Sequence, residues 1–333
     1  MQNSVTRRTS VLTAFGLGAV LLSGFCGATD SAFASGPSKG KDCPAPWLGA
    51  PTRNAVSGTP ANQQRCTYTS EGWGFFRPRI RSGYYPEKAG IPFKGNIVYL
   101  EGLGDSMINH APMFSYLSER GYRVIAFDYM GQGGSSGMMD NTVVGALPDL
   151  ALKMLALHGR DVAGHKKIFL GWSTGGLASY VAAAEKKVDV VVLLAPGIVP
   201  NKIVGEGLSG WPPNEITMRT LTRATYDRGN PDPHLDPIHP TSPVEVPDFA
   251  VSLLSTAAMY QHMSVPSQIR GLVMLSGDTD TYVDAASTRK VVAEKAPQFV
   301  VQQYAGTLHE IDNEIDSVKV HHAIYDFLSG LKD

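Results

Sequence analysis

The pentapeptide Gly171-Trp172-Ser173-Thr174-Gly175 constrains this chain more than any other stretch. It follows the apolar run Ile168 to Leu170, which reads as a strand, and precedes the helix-forming run Leu177 to Glu185. A G-x-S-x-G at a strand-to-helix junction reads as a nucleophile elbow, a turn so sharp that its serine stands alone above the sheet. Glycines two positions either side let neighbouring backbone approach closely and accept angles that a β-carbon penalises. Any Gly- and Ser-rich turn can produce the pentapeptide alone, so the reading rests on what accompanies it.

An acid and a histidine follow. The apolar run Gly271 to Leu275 reads as a buried strand emptying into Ser276-Gly277-Asp278-Thr279-Asp280-Thr281-Tyr282-Val283-Asp284, where a carboxylate would sit beside the elbow. The next strand-like run, Phe299 to Tyr304, leads into Ala305-Gly306-Thr307-Leu308-His309-Glu310 and places a histidine at the same sheet edge. The chain order Ser, Asp, His is that of α/β-hydrolases and differs from the two best-known protease orders. Each residue also has a plainer reading: His309 as a surface residue, the acids as turn formers, and His321 and His322 as packing or solvent-facing residues of a last helix.

With two further segments the chain resembles the α/β-hydrolase superfamily, in the branch of monoacylglycerol lipases, lysophospholipases and serine aminopeptidase-like hydrolases. Tyr99-Leu-Glu-Gly-Leu-Gly-Asp-Ser106 is similar to that family's histidine-glycine oxyanion segment, and Phe127-Asp-Tyr-Met-Gly-Gln-Gly-Gly-Ser-Ser-Gly137 to its D-x-x-G-x-G-x-S loop. Asp128 and its glycines read mainly as a tight structural turn. The resemblance runs from about Cys66 to the C-terminus, with a break between about Ile198 and Pro266. It implies Ser173 as nucleophile, His309 as its base and an acid to orient the histidine. Asp280 has the family's spacing in Gly277-x-x-Asp280-x-x-Val283, Asp278 is the alternative, and Asp284 reads as the cap of a helix beginning near Ala285. The backbone N–H groups of Leu103 and Thr174 are the implied oxyanion hole. Where the family usually has histidine, this chain has Glu101. A carboxylate there would oppose a developing oxyanion, so Glu101 is expected to point away, meet a cation or be protonated.

The implied fold is α/β, a mostly parallel sheet flanked by helices with a helical cap between core strands six and seven. Strands are expected at Cys66 to Thr69, Phe75 to Ile80, Asn96 to Leu100, Tyr122 to Tyr129, Lys167 to Trp172 and Val188 to Leu194. Helical segments such as Met113 to Arg120 and Val143 to Leu157 alternate with them, and antiparallel pairing is expected near the start. Between about Ile198 and Pro266, Phe249, Leu253, Ala257 and Tyr260 recur at helical spacing, as do Ala250, Leu254 and Ala258. Such a face suits either a lid over an acyl pocket or ordinary packing. The run Pro231 to Pro240 contains Asp232, His234, Asp236 and His239, but prolines stiffen it and the spacing matches no familiar metal site. No metal and no cofactor is expected.

A chain of 333 residues, 43% hydrophobic and 18% charged, suits one catalytic domain with a cap, and a formal net charge of −1 argues against nucleic acid. Residues 1–34 read as an export signal. Arg7 and Arg8 precede an uncharged stretch from Val11 to Phe25, and Ala32-Phe33-Ala34 offers cleavage before Ser35. The stretch is short for a membrane span, and Thr6 to Leu12 partly matches a twin-arginine signal. Bulky Phe25 before Cys26 argues against a lipoprotein signal. Cys43 and Cys66 would remain, and a bridge between them would tie an irregular arm, residues 35–65, onto the first strand with a gain of about 3 kcal/mol. The expected activity is exported serine ester hydrolysis of a small-molecule or lipid ester, with transient membrane-surface contact through the cap. An acyltransferase, an aminopeptidase and a non-catalytic binding module on the same fold are the alternatives.

Overall fold

The computed structural model describes the backbone of residues 65–70 and the whole of residues 78–107, 109–201 and 247–331. The export signal, the Cys43 to Cys66 bridge and the Pro231 to Pro240 run lie outside what is described.

Among the described residues eight strands form one sheet in the order β1-β2-β4-β3-β5-β6-β7-β8. They are β1 (Arg65–Ser70), β2 (Arg79–Tyr85), β3 (Gly95–Leu100), β4 (Tyr122–Phe127), β5 (Lys167–Trp172), β6 (Val190–Leu194), β7 (Arg270–Ser276) and β8 (Val300–Tyr304). β1 pairs antiparallel with β2, and β2 antiparallel with β4. All remaining pairs are parallel. The helices are α1 (Ala111–Ser118), α2 (Leu147–His158), α3 (Thr174–Ala184), α4 (Pro247–Tyr260), α5 (Ala285–Lys295) and α6 (Ser317–Ser329).

Side chains alternate through the sheet into two apolar layers. From β3, Val98 and Leu100 enter the layer built with α2, α3, α4 and α5, while Ile97 and Tyr99 enter the layer built with α1 and α6. Because helices cover both faces, the central strands carry unbroken apolar runs. All five residues of β6, Val-Val-Val-Leu-Leu, are fully buried, and each such side chain contributes roughly 1.5–3 kcal/mol by leaving water.

The second strand differs from expectation. β2 starts at Arg79, just after Pro78, and runs to Tyr85; Phe75 and Phe76 lie outside the described residues. Proline cannot donate to a ladder and so suits a strand's beginning. The polar text Arg-Ile-Arg-Ser-Gly hid this strand, because Arg81 is wholly buried against the Asp128 carboxylate. β4 ends two residues early, at Phe127, where Asp128 takes up the turn. Helix α2 also begins late. A 3-10 turn at Val144–Ala146 comes first, and Pro148 then occupies the first helical turn, where its missing N–H costs nothing.

The stripe Phe249, Leu253, Ala257 and Tyr260 of α4 is buried in the core layer, and the helix is tied down by polar contacts as well. The Val144 N–H donates to Ser252 Oγ (2.9 Å) and the Phe249 N–H to Asp140 Oδ1 (3.2 Å), and just past the helix the Met263 carbonyl accepts from Tyr180 OH (3.2 Å). This part of the interruption between β6 and β7 therefore packs as a core helix. Residues 202–246 lie outside the described residues. No helix among those described is long and apolar enough to cross a membrane.

One buried histidine makes stability depend on pH. His158, at the end of α2, lies 2.9 Å through Nε2 from Ser82 Oγ of β2. Burial, reinforced by the Arg123 charge, lowers its pKa to about 4. The folded state therefore binds His158's proton less readily than the unfolded chain does. The stability this contributes is complete above the solution value near pH 6.5 and is lost as pH falls toward 4. His158→Leu should cost about 1 kcal/mol at pH 7 through the lost hydrogen bond. The gap from wild type should narrow between pH 7 and 4 in thermal unfolding; a gap that widened would contradict this account.

Candidate active site

Parallel pairing of β5 with both β3 and β6 puts the Gly171 to Gly175 turn at the centre of the sheet's carboxyl edge. Ser173 links β5 to α3 with φ 54° and ψ −113°, an arrangement costing a non-glycine residue on the order of 1–3 kcal/mol. Surrounding backbone holds it there. The Ser173 N–H donates to the Leu194 carbonyl (2.9 Å), and the Ser173 carbonyl accepts from Leu177 (3.0 Å) and Gly197 (2.8 Å). A Cβ on Gly171 would collide with the Gly175 carbonyl, and one on Gly175 with the Leu100 carbonyl, so both glycines are sterically required.

The loops after β7 and β8 bring Asp280 and His309 to this serine. His309 Nε2 is 2.8 Å from Ser173 Oγ, and His309 Nδ1 is 2.9 Å from Asp280 Oδ2. With Nδ1–H donating to the carboxylate, Nε2 is the free base facing the hydroxyl. Asp280 also accepts from Ser276 Oγ (2.8 Å) and from the N–H groups of Tyr282 (2.8 Å) and Val283 (3.0 Å). Burial alone would raise its pKa, but the facing histidine and these donors outweigh it and hold the carboxyl below its ordinary value. The other acids are elsewhere. Asp278 is exposed, and Asp284 caps α5 by accepting from the Ser287 N–H (2.8 Å).

The His309 loop has supports that the sequence reading missed. Trp172 Nε1 donates to the His309 carbonyl (3.1 Å), Glu314 Oε1 accepts from the Leu308 N–H (2.6 Å), and the Tyr282 ring lies 5.1 Å from the imidazole. Glu314 lay five residues beyond a recognised histidine, but an acid at a helix approach carries no signal of its own. Of the last-helix histidines, His321 is buried and lies 3.0 Å through Nε2 from the Asp312 carbonyl, while His322 is exposed.

Leu100 of β3 pairs with Gly171 of β5, so the segment 101–104 leaves the sheet beside the elbow. Thr174 is the first residue of α3, and its N–H has no intrahelical acceptor. No acceptor for the Leu103 N–H occurs among the described residues. Among the described residues Glu101 meets no cation. Its Oε1 accepts from the Tyr129 N–H and from Gln132 Nε2, both at 2.6 Å, and Oε2 has no partner among the described residues. Burial first, then the nearby Asp128 and Asp105, push its pKa well above its ordinary value, which favours the protonated form.

Asp128 is the structural hub that its loop suggested: it meets Arg81 and accepts from the N–H groups of Met107 (2.7 Å) and Gly134 (2.6 Å). Behind Trp172 lies a charge cluster with no sequence signal. His110 sits between Asp105 (Nε2, 2.8 Å) and Asp312 (Nδ1, 2.5 Å), all fully buried. Burial would discharge this histidine, but the two carboxylates raise its pKa well above the usual value. Glu310 lies 3.8 Å from the same ring; burial pushes its pKa well up, and it accepts from Asn313 Nδ2 (2.6 Å).

Residues 92–316, more than half of the chain, match the family model described as serine aminopeptidase, S33. The chain belongs to that family of α/β-hydrolases. Solved structures share the fold at low identity. The monoacylglycerol lipase of Paleococcus ferrophilus superposes with a TM-score of 0.60 at 20% identity, over 75% of this chain and 98% of that one. A soluble variant of the monoglyceride lipase of Saccharomyces cerevisiae, in complex with a substrate analog, gives 0.62 at 18% over 84% and 98%. A thermostable carboxyl esterase of Bacillus coagulans gives 0.62 at 15% over 80% and 98%. The uncharacterized protein YfhR of Salmonella typhimurium is 27% identical over 129 residues, which is 38% of this chain and 42% of that protein. The chain thus spans less than half the length of the curated relative it matches. Among the described residues no cluster of histidine, cysteine or acids could hold a metal.

The buried neutral acid gives a test. Because Glu101 binds its proton more tightly folded than unfolded, wild-type stability falls as pH rises above the solution carboxylate value near 4.3. Glu101→Gln keeps an acceptor for Tyr129 and does not titrate. Its melting temperature should therefore gain on wild type between pH 5 and pH 8. A difference flat across that range would show Glu101 to be ionised.

Proposed function

We propose that this hydrolase is a serine carboxylic-ester hydrolase working through an acyl-enzyme. The observation carrying the proposal is the chain of contacts from Ser173 Oγ to His309 Nε2 at 2.8 Å and from His309 Nδ1 to Asp280 at 2.9 Å. His309 takes the serine proton as Oγ attacks the ester carbonyl. Asp280 orients the ring and stabilises the imidazolium that forms, without itself being protonated. The N–H groups of Leu103 and Thr174 receive the negative charge on the carbonyl oxygen. His309 then protonates the departing alcohol, and a water activated by the same nitrogen releases the acid.

The substrate class is a monoacyl lipid, a lysophospholipid or a simpler carboxylic ester. Its support is the company of the fold, which includes a monoacylglycerol lipase, a monoglyceride lipase in complex with a substrate analog and a carboxyl esterase. Export, with a mature chain beginning at Ser35 and contact with a membrane surface through the segment around 198–266, belongs to the same proposal. It is supported by Arg7, Arg8, the uncharged stretch and Ala32-Phe33-Ala34.

Release of p-nitrophenol from esters of graded acyl length tests the reading. Ester turnover is expected, with Ser173→Ala lowering kcat by roughly a millionfold and Asp280→Asn by roughly ten-thousandfold. A fluorophosphonate should label the wild type at Ser173. Rates that climb with acyl length fit a lipid substrate, and activity limited to acetyl and butyryl esters fits a small-ester carboxylesterase. Turnover confined to amino-acid p-nitroanilides would replace the ester reading with a peptidase, and an unlabelled Ser173 would favour a non-catalytic module.

A further inference from the structure

The segment proposed to donate to the oxyanion is intrinsically loose. Leu103 stands between Gly102 and Gly104, the latter at φ 75°, and a peptide flanked by two glycines has wide backbone freedom. A developing negative charge is stabilised only by a donor already aimed at it. Something outside the segment must therefore fix the Leu103 peptide.

One side chain touches the segment on both sides of Leu103. Gln132, 2% exposed, donates from Nε2 to Glu101 Oε1 (2.6 Å) and to the Gly102 carbonyl (3.0 Å), and its Oε1 accepts from the Gly104 N–H (2.6 Å). The amide has one permissible orientation. A carbonyl can only accept and an N–H can only donate, so a flipped amide would meet Gly102 and Gly104 with the wrong atoms. Gln132 is in turn set by its own turn, where its N–H donates to the Tyr129 carbonyl (3.0 Å) and the Tyr129 N–H reaches the same Glu101 oxygen.

We infer that Gln132 is the positioning residue of the oxyanion loop: its amide clamps Gly102 and Gly104 and so aims the Leu103 N–H at the reacting carbonyl. Glu101 Oε1 is the acceptor that completes the clamp. Gln132 itself touches no reacting atom and acts through the backbone. The inference rests on the ester-hydrolase reading above, and the two fail differently. Absence of Ser173-dependent ester turnover in wild type sinks that reading, whereas wild-type turnover with indifferent Gln132 variants sinks this inference alone.

The test uses Gln132→Met, of similar length with no hydrogen-bonding amide, and Gln132→Glu, which keeps an acceptor for Gly104. For Gln132→Met, kcat on a p-nitrophenyl ester should fall about tenfold to a hundredfold with KM within threefold of wild type. The inhibition constant of a trifluoromethyl ketone, whose serine adduct carries an oxyanion, should rise by the same factor. Gln132→Glu should lose less at pH 6 and progressively more toward pH 9 as the new carboxyl ionises, which a packing role would not produce. Should Gln132→Met not fold, the pH profile of Gln132→Glu decides alone. A wild-type kcat in folded Gln132→Met, a loss expressed only in KM, an unmoved ketone affinity or a Gln132→Glu profile parallel to wild type would each overturn the inference.

Discussion

The molecule is organised around the contact between Gly175 and the Leu100 carbonyl. It lets the start of α3 press against the end of β3, a closeness no side chain at 175 would allow. Three consequences follow from that one approach. Ser173 is driven to positive φ and lifted off the sheet. The orphan N–H of Thr174 comes to the edge where segment 101–104 leaves β3. Gly171, paired with Leu100, must also lack a side chain because Gly175 lies across it. The strain at Ser173 is small beside the apolar burial of β3, β5 and β6, which is what keeps the turn in place.

Fully buried charge beneath the site is distributed with few counterions. Of five buried acids, Asp128 pairs with Arg81, Asp105, Asp312 and more distantly Glu310 face His110, and Glu101 has no cationic partner among the described residues. Ionising every acid would leave unpaired charge in the interior, which costs far more than protonation. The structure resolves this by sorting them. Asp105 touches His110 and has its pKa lowered, while burial raises the pKa of Glu101, which has no cation beside it among the described residues, and of Glu310, for which His110 at 3.8 Å offsets burial only in part. The cluster packs His110 against Trp172, and Trp172 in turn carries the His309 carbonyl. Charges with no role in bond breaking thus stiffen the support of a residue proposed to have one.

What was legible in the sequence was whatever a local pattern encodes. Apolar runs bounded by turns marked the central strands to within two residues, since strands covered on both faces have no polar positions to blur them. The elbow and the order Ser, Asp, His were legible along the chain, Asp280 was preferred to Asp278 through the spacing of the family it resembles, and the structure brings Ser173, His309 and Asp280 into contact. Edges and supports were not legible. β2 looks polar until Arg81 is seen against Asp128, forty-seven residues away in the chain. Gln132 lay inside a quoted loop at a position that the loop pattern leaves unspecified, and its meaning appears only when segment 101–104 folds over it. His110 and Asp312 are separated by 202 positions and by most of the sheet's winding. Long-range polar pairing leaves no periodicity, so reading along the chain cannot recover it.

The presence of Glu101 beside the expected oxyanion segment is a physical constraint rather than a tolerated accident. Two like charges a few ångströms apart repel by a few kcal/mol at an effective dielectric of about 20, and each 1.4 kcal/mol is about tenfold in rate. A carboxylate at 101 would therefore undo much of what a hole donor contributes. The protonated acid has no such penalty, and its Oε1 is an acceptor that both the Tyr129 N–H and Gln132 can use. Burial first, then Asp128 and Asp105, give the site this property, because a buried carboxylate is poorly solvated and each negative charge nearby adds to the cost of ionising Glu101. The acidic neighbourhood that would look hostile to an oxyanion thus adds to burial in favouring the neutral form of Glu101.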